Sequence, residues 1–281
     1  MISLLLAVGL VFSPNDADRA YQLADRFVSA CTPRDAGTIR GKIAANFILD
    51  EASKTGADVN RDVFMAETPK GPRPMTNLSC EFSTDESTNW VVVVSHFDTK
   101  HGVACPGAND GAASTALLIS LAEVLGSWQT PRSNVMLLWT DGEECMERYA
   151  ENDGLWGAKR AAKRLAASER NVWAVICIDM VGDADLHLSV PTNGSPALSK
   201  IAVHAARRAG YPDLVSFMPE AVTDDHVPFL DCGFRAIDLI DFEYGPGNAY
   251  WHTPDDTMEH VSKESLLKTG RLLVELLNIL L

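Results

Sequence analysis

Two histidines and five carboxylates stand where this sequence can bring them to one place. The run "NWVVVVSHFD" (89–98) ends in His96-Phe97-Asp98, and Asp110 opens the following "NDGAASTALLISLAEVL" (109–125). "NVMLLWTD" (134–141) runs into "GEE", which supplies Glu143 and Glu144. "NVWAVICIDM" (171–180) holds Asp179, and the strand expected at 235–240 leads into "YWHTPDD" (250–256), which carries His252. Carboxylates within a few ångströms repel one another, and several would stay protonated near neutral pH. A divalent cation removes that cost, and two imidazoles with carboxylate oxygens suit zinc. A lone Asp at a helix start is ordinarily a cap, and a lone His a core or surface residue. Such residues at one strand end after another are hard to read that way. Neighbouring glutamates at a strand end diverge, so Glu144 can hold metal while Glu143 faces the reactants as acid–base.

The elements that must position them follow from hydrophobic spacing. Continuous β-branched and apolar runs at 89–98, 134–141 and 171–180 predict strands buried on both faces. Helices are expected at 15–31 (capped by Asp16 or Asp18), 38–53, 109–125, 154–168, 197–209 and 262–280. Residues 58–66 and 76–83 read as strands parted by the turn "TPKGPRP". Buried strands alternating with helices predict a three-layer αβα architecture around a mixed, mostly parallel sheet. Ligands in such sheets bind beyond the carboxyl ends of the strands, where the His and acid residues fall. No repeat, low-complexity tract or linker divides the chain, so residues 15–281 read as one catalytic domain.

Composition narrows the function. The chain has 281 residues, 24 basic against 38 acidic, for a net charge of −14. Such a surface repels phosphate backbones, which argues against nucleic-acid partners. Six scattered cysteines with no C-x-x-C pair argue against a structural zinc ribbon. The apolar run "ISLLLAVGLVF" (2–12) is too short to span a bilayer. With residues 1–14 it reads as a signal segment for export to the periplasm or beyond. The rival is a first segment packed on the domain of a cytoplasmic protein. No basic residue precedes the run, and Pro14 sits awkwardly for cleavage.

Taken together, "HFD", "GANDGA", "DGEE", "CIDMVG" and "WHT" resemble the zinc aminopeptidases with co-catalytic metals. Within that superfamily the chain resembles the glutaminyl cyclases (glutaminyl-peptide cyclotransferases), through "SHFDTK", "EECMERYAENDGLWGAKR", "DDHVPFLDCG" and "YWHTPDD". The resemblance implies the phosphorylase/hydrolase-like fold of zinc exopeptidases and peptide substrates with a free N-terminus. It implies a monomer that turns N-terminal glutamine into pyroglutamate with loss of ammonia. It also implies zinc held by Asp110, Glu144 and His252, with Glu143 as general acid–base. Asp179 and Asp224 would steady Glu143, with Asp225 as a rival for the second place, and Trp251 would form an aromatic wall. In two-zinc aminopeptidases the matching His96 and Asp179 hold a second metal and Asp110 bridges; animal cyclases share the pattern yet work with one zinc. The alternative activity is therefore aminopeptidase hydrolysis with one or two zinc ions. Two pocket positions depart from the animal cyclases: Tyr149 stands for a tryptophan and Thr223 for a glutamine. Ser95 rather than a cysteine precedes His96, so their disulfide there is missing. The other histidines get plainer readings: His204 and His260 as surface or capping, His187 as solvent-facing, His101 as a loop residue and His226 as a turn former.

Overall fold

Four valines in a row, Val91–Val94, can be tolerated only where both faces of a strand are covered, and here both are. Val91 and Val93 join one apolar cluster, while Val92 and Val94 join another on the opposite face. The computed structural model describes residues 9–85, 87–128 and 133–281. Within them the strands are β1 (Asp58–Ala66), β2 (Arg73–Phe82), β3 (Asn89–His96), β4 (Asn134–Thr140), β5 (Asn171–Asp179), β6 (Leu188–Val190), β7 (Val215–Phe217) and β8 (Ala236–Ile240). They form one sheet in the order β1-β2-β4-β3-β5-β8-β6-β7. The centre β4-β3-β5-β8 is parallel, β1, β2 and β4 pair antiparallel, and β6 meets β8 antiparallel. The expected mixed, mostly parallel sheet is present.

Helices α1 (Pro14–Cys31), α2 (Ile39–Ala52), α3 (Ser114–Gly126), α5 (Pro196–Arg208) and α7 (Lys263–Leu280) cover one face. Helices α4 (Trp156–Ala166) and α6 (His226–Asp231) cover the other, which completes three layers. Helix α1 is capped by Ser13 rather than by Asp16 or Asp18. Asp16 occupies the third helical position and accepts from the Ser13 amide at 2.7 Å, the reciprocal half of a capping box. Ahead of it, Phe12 lies against Gly270 of α7, where any Cβ would come within 2.3 Å of the ring. Asn278 Nδ2 donates to Leu10 O at 3.2 Å, so the tail of the apolar run 2–12 packs on the domain. Its first residues, and most of the signal-segment reading, lie outside the described residues. Among the described residues no helix is long and apolar enough to cross a membrane.

Candidate metal centre and active site

The carboxyl ends of the parallel strands converge as expected, and side chains from five segments meet there. His96 ends β3, Glu143 and Glu144 follow β4, and Asp179 ends β5. Asp110 lies in a wide turn, Ala108–Ala113, that leads into α3. It does not cap that helix: its backbone leaves the helical region (φ −93°, ψ 90°), which turns its carboxylate toward the strand ends. His252 takes a positive φ of 54°, a left-handed conformation that a histidine adopts only where its surroundings hold it.

The distances define two triples sharing one acid. His252 Nε2 lies 2.6 Å from Glu144 Oε1 and 3.2 Å from Asp110 Oδ2. His96 Nε2 lies 3.0 Å from Asp179 Oδ1 and 3.2 Å from Asp110 Oδ1. In each triple the candidate ligand atoms lie within 4.8 Å of one another. Against the cost of burial, Asp179 and Asp110 pull a proton onto His96, and Asp110 and Glu144 raise His252 to about 9. Burial and crowding push Glu143, Glu144 and Asp179 up, Asp179 to about 7. Acids this crowded recruit positive charge from two imidazoles. A divalent cation supplies it directly, and the mixed nitrogen–oxygen donor set fits zinc.

Glu143 stands apart from the triples. It is 5% exposed, and the Tyr149 hydroxyl donates to its Oε1 at 2.9 Å. Lys100 Nζ donates to Glu144 Oε2 at 3.2 Å, which leaves the neighbouring glutamates with different partners. Beside these groups lies a cavity of about 770 Å³, within the range for small-ligand sites. Glu143, Asp179, Asp224, Tyr149, Thr223, Trp251 and His252 all line it. Of the two rival acids, Asp224 lines the cavity, while Asp225 is turned inward to the Thr140 hydroxyl. The Trp251 ring stacks on His252 at 4.1 Å and meets Phe242 at 5.2 Å.

Several contributors have roles that the sequence reading does not assign. Asp98 accepts from the amides of Gly142, Glu143 and Glu144 at 2.9, 3.0 and 3.2 Å, and so shapes the turn that presents both glutamates. Asp256 accepts from the amides of Asn109 and Asp110 at 2.8 and 3.3 Å, tying the His252 loop to the Asp110 turn. Both lie inside quoted motifs, but an acid that gathers backbone amides from a distant loop looks like any loop Asp; Asp98 Oδ1 also lies 3.6 Å from His96 Nδ1, and Asp256 accepts from the Tyr244 hydroxyl at 2.9 Å. His187 is solvent-facing as expected, yet it lines the cavity and sits just ahead of β6. His260 is more than a surface residue, since its ring stacks on Tyr250 at 3.8 Å. His226 is fully buried at the start of α6. The six cysteines are all free thiols.

The fold and strand-end site together define the class shared by zinc exopeptidases and glutaminyl cyclases. Residues 77–277 match peptidase family M28, and the chain belongs to that family. Among curated relatives it is 25% identical over 253 residues to a glutaminyl-peptide cyclotransferase of Drosophila melanogaster, covering 80% of this chain and 70% of that protein. Aminopeptidase YwaD of Bacillus subtilis is 29% identical over 190 residues, 65% of this chain and 39% of that one. Among solved structures, an Acidobacteriales bacterium glutaminyl cyclase superposes with a TM-score of 0.88 at 29% identity, covering 94% of each chain.

Proposed function

We propose that this chain is a zinc-dependent glutaminyl-peptide cyclotransferase, acting on peptides with a free N-terminal glutamine. The observation that carries the reading is Glu143: a buried carboxylate outside both triples, held by Tyr149 on a cavity with an aromatic wall. Asp110, Glu144 and His252 would hold the zinc. When bound, zinc supplies a Lewis acid for the γ-carboxamide oxygen. Glu143 takes a proton from the substrate's α-amine as that nitrogen attacks the side-chain carbonyl carbon. It passes the proton to the amide nitrogen, which leaves as ammonia when the old C–N bond breaks, and the new C–N bond closes the pyroglutamate ring. Tyr149 holds Glu143 in place for both transfers. Asp179 and Asp224, on the same cavity, steady it and balance charge. Trp251 and Phe242 give the folded-back glutamine a flat apolar wall and exclude water. The match to a solved glutaminyl cyclase, at 29% identity over 94% of each chain, supports this reading over hydrolysis.

A second reading, aminopeptidase activity, is favoured by the second triple of His96, Asp110 and Asp179. There Glu143 would deprotonate water instead of an amine. Incubating zinc-loaded protein with Gln-peptides and with leucyl anilides, and identifying products by mass, tests both. Loss of one ammonia from the Gln-peptide supports the cyclase; a free amino acid released without cyclisation overturns it.

A further inference from the structure

Arg34 is fully buried, and its partners are unusual for a buried cation. Its side chain donates only to backbone carbonyls: Nε to Phe97 at 2.5 Å, Nη1 to Pro106 at 2.8 Å, and Nη2 to Gly107 at 2.6 Å and Asp110 at 3.3 Å. A buried carbonyl left without a donor is costly, and so is a buried charge without partners. One guanidinium fork meets both needs in a single plane, and it lies over the Phe27 ring with Cζ 5.0 Å from the centroid.

The four carbonyls are not a random set. Phe97 directly follows His96 at the end of β3, while Pro106 and Gly107 form the approach to Asp110. The backbone of Asp110 leaves the helical region, and its carbonyl turns to Arg34. Gly107 fits because it has no side chain: a Cβ there would lie 2.7 Å from Arg34 Nη2 and 2.5 Å from Asp110 O. We propose that Arg34 is a positioning residue for the metal centre, clamping the His96 strand end to the Asp110 turn and stabilising the bent backbone that aims the shared carboxylate at both histidines. The fork matters as well as the charge, because its three nitrogens together reach two separate stretches of chain. A lysine keeps the charge but has one nitrogen and cannot span them.

The inference rests on the zinc reading of the site and not on which reaction it runs. Zinc affinity is therefore measured by competition with a chromophoric chelator, in wild type, Arg34→Lys and Arg34→Gln. The temperature is one at which near-ultraviolet circular dichroism shows the variants folded. Both should bind zinc about 10–100-fold more weakly, the range for groups that orient metal ligands. A purely structural role would lower Tm and leave the folded protein's affinity unchanged, so Arg34→Lys within twofold of wild type overturns the proposal. Should the Arg34 variants not fold, Phe27→Leu removes the ring beneath the fork while keeping the arginine. About threefold weaker zinc binding is then expected on the same grounds, and unchanged affinity overturns the proposal. Wild type that takes up no zinc would overturn the reading of the site itself, an outcome distinct from either variant result.

Discussion

Replacing Tyr149 with phenylalanine tests the base most cleanly, because it removes one oxygen and little else. The ring stays: it packs against Gly154, where a Cβ would come within 2.7 Å of it, and Lys100 Nζ lies 5.8 Å from its centroid. What is lost is the 2.9 Å bond to Glu143 Oε1. Burial, with Glu143 next, pushes the Tyr149 hydroxyl well above its usual range, so it remains a donor at any working pH. A hydrogen bond to a charged group contributes about 1.5–3 kcal/mol. Tyr149 is 38% exposed, so the lower end applies once solvent screening is allowed for. About 1.4 kcal/mol corresponds to tenfold in rate, so kcat/KM for a Gln-peptide should fall about tenfold. Zinc content should hold, because Glu144 keeps Lys100 and His252 as partners. Ammonia release followed continuously, alongside a thermal melt, gives both numbers. Activity within twofold of wild type at unchanged Tm would refute the idea that Tyr149 holds the base.

Glu143→Gln should keep zinc and lose about 10²–10⁴-fold in activity, the usual share of a general acid–base group; a loss under threefold would move the base elsewhere, with Asp179 next in line. His252→Ala should strip most zinc from the purified protein, and full occupancy by elemental analysis would sink that ligand. Asp98→Asn replaces one acceptor oxygen beneath the paired glutamates with a donor facing amides, and should lower Tm and activity together; activity lost without any change in Tm would contradict its role in shaping the turn. The metal-free protein should also lose stability as pH rises. Burial lifts Asp241 to about 6, burial and Asp224 lift Asp225 to about 8, and Asp110 and Glu144 lift His252 to about 9 against burial. Each folded-state value is raised, so the folded chain keeps a proton that the unfolded chain has released. Tm should decline from about pH 4, where unfolded aspartates titrate, to about pH 9. Zinc should stabilise most at the upper end, and a flat metal-free profile would count against the crowding.

What could be read in advance divides by the kind of partner a residue needs. Strands β3, β4 and β5 were legible because burial on both faces leaves an unbroken apolar run. Strands β6 and β7, three residues each, are too short for any period to register. Helix α3 starts at Ser114 and not at Asn109, because the preceding turn is shaped by Arg34 and Asp256, both distant in sequence. The same division holds in the site. His96, Asp110, Glu143, Glu144, Asp179 and His252 could be picked out by residue type at strand ends, and the structure brings all six together. Asp98 could be seen at its strand end too, but the amides that it and Asp256 gather, and the carbonyls that Arg34 gathers, are backbone groups, which every residue possesses, so no side-chain pattern marks those roles.

The wall of the cavity bears on the choice between cyclisation and hydrolysis, as does the second candidate triple. Both reactions need a polarised carbonyl and a carboxylate able to move a proton, and the proposed role of Glu143 beside Glu144 would serve either. They differ in the nucleophile: a tethered amine already on the substrate, or a free water. Trp251 bears on that choice, and its ring is also stacked on His252, 4.1 Å between centroids and 24° from parallel. The wall and a candidate ligand are therefore packed as one unit, with His252 held in a left-handed backbone conformation and Trp251 against Phe242. Loosening the indole would admit water to the pocket and free the imidazole at once. On the proposed cyclase reading, a wall packed in this way serves the tethered nucleophile, because a substrate folded back on itself gains most from a surface that does not give way.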